Sequence, residues 1–307
     1  MDALGTAQRR RLITRGRRSD AIFRFFGLSC LCLGLALVLM LVFNLAFEGA
    51  ERFTPDFFLN FASRRAAQAG ILSAWVGSLL VMLVTGLAAV PLGIAAGVYL
   101  EEYAGKNPVT MLIEINIANL AGVPSIVYGL LALGIFVYQF GFGQSILSAG
   151  LTLALLILPI IIVTTREAIR SIPAAIREGS AALGATRWQT CRYHIIPYAM
   201  PGIMTGVILG LARAMGETAP IITIGALTFI AFLPPFPFVG EPPAGMFDWL
   251  MAPFTVMPIQ IFNWTSRPDP AFEMNAAAAG FILMVMVLIM NGIAIALRYR
   301  MRRKIQW

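Results

Sequence analysis

The sequence predicts an all-α integral membrane protein with six transmembrane helices, and three observations carry that prediction. Hydrophobic residues make up 59% of the chain and charged residues 12%, about half the ~25% charge of soluble domains. Six apolar runs, at 25–47, 71–100, 111–138, 145–165, 202–233 and 276–297, each reach the ~20 residues that cross a bilayer. Basic residues gather beside alternate ends of these runs, and the mean hydropathy is +0.80.

Taken in order, residues 1–24 form a basic tail with seven arginines, at 9, 10, 11, 15, 17, 18 and 24. The first run, with its outer loop, fills 25–70. It is longer than the ~7–15 residue core of a signal peptide and leads into "FEGAERF", so it reads as an uncleaved helix. A transmembrane domain fills 71–300, and 301–307 is a second basic tail. Pro91, Pro124, Pro159 and Pro220 mark kink sites in the runs that exceed the bilayer length. Counting Lys and Arg, the N-terminal tail, Lys106 in the second loop, five residues of the fourth loop and five at the C-terminus hold 18 of 23. Arg52, Arg64, Arg65 and Arg267 lie in the odd loops. The positive-inside rule then makes both termini and the even loops cytoplasmic. The net charge of +8 is explained in this way without a nucleic-acid partner.

Several function classes drop out. Cys30, Cys32 and Cys191 have no disulfide or zinc spacing, and the single histidine, His194, rules out an HExxH site. There is no GxxxxGK[ST] phosphate loop, and "AGKNP" at 104–108 reads as a turn. No catalytic, cofactor or metal set is expected in this chain.

The fourth loop, 166–201, is the longest of the even loops and its signals are specific. Pro173 suits the first position of a helix, which runs through Ala174, Ala175, Ser180, Ala181 and Ala182 to a stop at Gly184. Thr186 and Gln189 have capping-box spacing, and Pro197 marks an end or kink. Two short surface helices joined by a glycine are expected. Their small residues suit either docking of another protein's backbone or tight packing on this chain's own helices.

This loop resembles the "EAA" loop of importer-type ABC permease subunits, matching at Glu178, Gly184 and Pro197. Gly179 and Ser180 stand where the family has two alanines, and His194 where it usually has an aliphatic residue. The resemblance implies a type I ABC importer permease fold, with Glu178, Ala181, Ala182 and Gly184 in a coupling helix that enters a cleft on a cytoplasmic ATPase. ATP and Mg would then be bound by that partner. "PLGIAAGVYLEEYAG" at 91–105, "AGVPSIVYGLLALGIF" at 121–136, "LGLARAMGETAPII" at 209–222 and "MPIQIFNWTSRPDPAF" at 257–272 are similar to the PstA-type branch. That branch serves phosphate import. It implies a homologous PstC-type permease, two ATPase copies, a periplasmic phosphate-binding protein and a bacterial inner membrane location. Permeation of another oxyanion, molybdate or sulfate, and a membrane sensor without transport remain as alternatives.

Arg213 and Glu217 sit four apart within the fifth run. At 1.5 Å per residue from Gly202, Arg213 falls ~16 Å along, near the bilayer centre, where an arginine costs at least ~2.5 kcal/mol unless it faces protein or water. Its guanidinium forks onto tetrahedral oxyanions. Glu217 has three readings: an internal counterion, an acceptor from a protonated phosphate oxygen, or one half of a structural pin. Gly216 and Pro220 suit either a hinge or close packing. In the fifth loop, Trp249 and Trp264 read as interfacial aromatics or a platform for a binding protein.

Overall fold

The computed structural model describes residues 6–105, 107–237 and 245–303, so the ends of both basic tails and Lys106 lie outside the described residues. Among these residues the structure is helical. Helix α1 (Thr6–Glu48) is followed by a short α2 (Pro55–Leu59) and then by α3 (Leu72–Val98), which a π-helical turn extends through Tyr103. Helices α4 (Pro108–Leu120) and α5 (Ser125–Ala132) come next, α5 continuing as a π-helical segment to Gln139. After α6 (Ile146–Arg170) and α7 (Ala174–Ala182), α8 (Arg187–Thr190) joins α9 (Ile196–Gly216) through a π turn. Helices α10 (Ala219–Ile224), α11 (Met257–Thr265) and α12 (Ala271–Arg303) complete the order.

Helix α6 is the axis of the bundle: two thirds of its most apolar window (67%) is buried, against 28% for α3 and 6% for α12. Small residues let its neighbours approach. Gly93 and Gly97 of α3 are four apart, and a Cβ on either would come within 2.7 Å of Ile161 or Thr165 of α6. Gly202 and Gly206 of α9 repeat the spacing against Ala168 and Thr164, where added Cβ atoms would also collide. Both are G-x-x-x-G faces, the form that brings transmembrane backbones together. A second core gathers Phe57, Trp264, Phe272 and the alanines of α12. Arg52 ties its rim: Nη1 donates to Ala67 O at 2.9 Å, Nη2 to Ala69 O at 2.6 Å, and the guanidinium lies 5.1 Å from the Phe57 ring. Burial lowers the Arg52 pKa from the ordinary arginine value.

Five helices are long and apolar enough to cross a membrane, and a sixth crossing is complete if α4 and α5 count as one broken span. The third run is therefore not one helix. Its halves meet at 107°, where Pro124 caps α5 with extended backbone. The fifth run also departs from expectation. Its helix begins at Arg187 and ends at Gly216, because Pro220 cannot donate to the Gly216 carbonyl and Glu217 is already extended (ψ 126°). Residues 225–233 are apolar but non-helical, held instead by Leu227 N–H to Phe254 O (3.0 Å) and Ser73 Oγ to Ile230 O (3.1 Å).

The fourth loop holds one separate short helix rather than two. Pro173 stands one residue earlier than expected, as the N-cap of α7. The Thr186–Gln189 capping box is present, but α8 runs on into α9, and Pro197 neither ends nor breaks the helix. The π turn Cys191–Ile195 ends two residues before that proline, and such a turn helps absorb a residue that cannot donate.

Candidate functional site

Helix α7 turns two different faces to its surroundings. Glu178, Ala181, Ala182 and Gly184 are exposed, as is Gly179, and Leu183 at the tip is 90% exposed. Gly184 has φ +80°, and its N–H closes on Ala181 O at 2.9 Å while Ala185 N–H reaches Ser180 O at 3.1 Å. This left-handed stop follows from glycine's lack of a Cβ. Neither Gly179 nor Gly184 has a neighbour within 4 Å of a built Cβ. Packing within this chain therefore does not account for these small residues.

The opposite face is fastened. Ser180 Oγ lies 2.8 Å from Thr190 Oγ1, joining α7 to the helix that becomes α9. Arg177 donates from Nε and Nη2 to Glu102 (shortest distance 2.7 Å) and also to the carbonyls of Ile169 and Ile172. Beside it, Glu101 receives Arg170 at 3.0 Å and Arg166 at 3.5 Å, and Arg166 reaches Glu114 of α4 at 2.7 Å. These ion pairs join α3, α4, α6 and α7. Sequence reading missed them, since Glu102 and Arg177 are 75 positions apart; the only local signal was the acidic pair in "YLEEY" beside a basic loop.

The second candidate site is the break between α9 and α10. Arg213 occupies the last turn of α9, where a cation complements the negative end of the helix. Its Nε donates to Glu217 Oε1 at 3.2 Å, with the side chains 39% and 18% exposed. The two residues are thus paired, but across a helix end rather than along a continuous helix. Gly216 has open space where a Cβ would stand, which removes close packing as its reason. Glu217 lines a narrow crevice with Ser78, Met82, Leu153 and Pro258. Ser78 Oγ in turn accepts from Met257 N–H at 2.8 Å, joining α3 to α11. On another side Gly129 of α5 lies against Pro220 and Thr223, so close that a Cβ would collide. The other flank is a groove of about 540 Å³ bordered by Gly216, Thr218, Ile222, Pro258 and Phe262.

Trp264 is not a surface platform. It is fully buried, with ring centroids 6.0 Å from Phe57 and 6.5 Å from Phe272. Trp249 is only partly buried.

Comparison with known proteins agrees with this architecture. The chain is 33% identical over 271 residues to "Probable ABC transporter permease protein YqgI" of Bacillus subtilis (strain 168), covering 87% of this chain and 90% of that one. It is 31% identical over 267 residues to "Phosphate transport system permease protein PstA" of Pasteurella multocida (strain Pm70), covering 87% of each. Among solved structures, a chain of a bacterial alginate ABC transporter in complex with a periplasmic protein shares the fold, with TM-score 0.62 at 14% identity over 91% of this chain and 94% of that one. The family described as "Binding-protein-dependent transport system inner membrane component" matches residues 89–303. With its apolar helices wrapped on α6, this chain belongs to that family and is a multi-pass membrane transport subunit.

Proposed function

We propose that this chain is a permease subunit of an ATP-driven importer that moves inorganic phosphate from the periplasm to the cytoplasm. The observation that carries the substrate is similarity along 87% of both chains to a phosphate transport system permease. The geometry supports an anion path. Both terminal amino groups of Arg213 are without a hydrogen bond among the described residues, in the last turn of α9 before the helix breaks. A fork of this kind matches a tetrahedral oxyanion.

In this reading α7 docks on a cytoplasmic ATPase through Glu178, Ala181, Ala182 and Gly184, and both termini are cytoplasmic. The ATPase, present in two copies, binds ATP and Mg. A homologous PstC-type permease completes the pathway, and a periplasmic phosphate-binding protein delivers the substrate. Glu217 neutralises Arg213 while the path is empty.

The test is uptake of labelled phosphate by the complex in proteoliposomes with the binding protein outside and the ATPase and ATP inside. ATP-dependent movement of phosphate but not of sulfate or molybdate is expected. Preference for either of those ions would reassign the substrate, and ATP-independent behaviour with no uptake would make the chain a sensor.

A further inference from the structure

Helix α3 touches both candidate sites. At one end its π-helical turn carries Glu102, bound to Arg177 of α7. Toward the other end Ser78 and Met82 line the Glu217 crevice. At 1.5 Å per residue, ~36 Å of helix separates Ser78 from Glu102. Between them Gly93 and Gly97 seat α3 on α6.

The two neighbouring carboxylates of that turn have different duties. Glu101 faces Arg166 and Arg170 and so binds α3 to α6. Glu102 alone reaches α7. Its side chain is 14% exposed and that of Arg177 30%, so the pair is shielded compared with the neighbouring Arg170–Glu167 pair at 53% and 66%. A guanidinium that also caps Ile169 and Ile172 is held in one orientation by four donors. Energetic coupling between distant sites is carried by such rigid elements and ion pairs.

The geometry points to Glu102 and Arg177 as the joint through which displacement of α7 reaches α3, and through α3 the crevice that holds Glu217. They are positioning residues, acting on transport without touching the anion. This rests on the reading that α7 docks an ATPase.

The experiment uses the complete transporter with its ATPase and binding protein in lipid, comparing wild type with Glu102→Gln, Arg177→Gln and Glu167→Gln. Expected is normal recovery of the ATPase with Glu102→Gln and Arg177→Gln, continued ATP hydrolysis, and about tenfold less phosphate moved per ATP, within the ~5–150-fold span of ordinary coupling energies. Glu167→Gln, in the exposed pair, leaves the ratio unchanged. A Glu102→Cys/Arg177→Cys double variant should regain coupling when bridged by a short bismaleimide. In a complex whose chain lacks Cys30, Cys32 and Cys191 but keeps Glu102 and Arg177, spin labels on Ala175→Cys and Tyr103→Cys should keep one distance with and without trapped ATP. An assembled Glu102→Gln transporter with a wild-type phosphate-to-ATP ratio overturns the joint, and so does a label distance that changes through the cycle. If Glu102→Gln does not assemble, the label distance decides. Retention of the ATPase by Ala181→Trp would instead overturn the docking reading, and the joint with it.

Discussion

Arg213 Nε donates to Glu217 Oε1 at 3.2 Å across the end of α9, and the remaining two amino groups of the guanidinium have no partner among the described residues. One carboxylate thus pairs with Nε and leaves the two terminal amino groups without a protein partner among the described residues. Arg213→Gln should lower phosphate uptake by about 10–100-fold in an assembled complex, the loss expected for a charge-assisted hydrogen bond. Radiolabelled uptake and co-purification measure the two effects separately.

Glu217→Gln distinguishes three roles for the carboxylate. A counterion gives altered transport with a leakier or stickier path. An acceptor from a protonated phosphate oxygen gives weaker discrimination against sulfate. A structural pin gives reduced assembly in each single variant and partial recovery in Arg213→Gln/Glu217→Gln. Competition uptake and complex yield read these outcomes.

Ala181→Trp should abolish recovery of the ATPase while membrane insertion stays normal, because an indole replaces a methyl group on the exposed face of α7. Gly184→Ala is a milder probe: its φ of +80° costs a residue with a Cβ about 1–2 kcal/mol. It should therefore weaken ATPase recovery without adding bulk.

Gly206→Val should destabilise the bundle by roughly 1–3 kcal/mol or more, since the side chain would enter the space of Thr164 on α6. Thermal aggregation of detergent-solubilised protein measures this. Trp264→Ala should act in the same assay, by about 3–5 kcal/mol, as loss of a fully buried aromatic.

Single cysteines placed near Arg10 and Lys304, in a background without Cys30, Cys32 and Cys191, should escape an impermeant thiol reagent in intact cells. One near Asp269 should react. Labelling of only one terminus would require an odd number of crossings.

Apolar length made the spans legible, and the breakers made their ends partly so. Pro124 announced a kink but not a bend of 107°, which depends on how α5 packs against α10. Hydropathy carried the fifth run to residue 233, although the helix stops at Gly216. It reports apolar composition, not backbone conformation, and residues 225–233 are held as non-helical chain by the bonds at Leu227 and Ile230. Trp264 misled for a related reason: an aromatic in an apolar loop has the same composition at an interface as in a core.

In the fourth loop the stop at Gly184 and the Thr186–Gln189 capping box were legible, because both are local signals, while the continuation of α8 into α9 was not. The fastening of α7 was not legible, because Glu102 and Arg177 meet only after α3, α6 and α7 have packed. The G-x-x-x-G spacings of α3 and α9 stand openly in the sequence, but only the fold reveals that both serve α6.

Helix α1 stands apart from this economy. None of its most apolar window is buried, and its chief neighbour is α12. Within this chain its place rests on apolar length more than on packing against the bundle, as for a segment that inserts by itself. Within this chain such an outrigger answers mainly to length and oiliness. Substitution among leucine, valine and phenylalanine at the exposed positions of residues 22–41 should pass almost unnoticed in the fold of this chain, while one methyl group added at Gly206 would not.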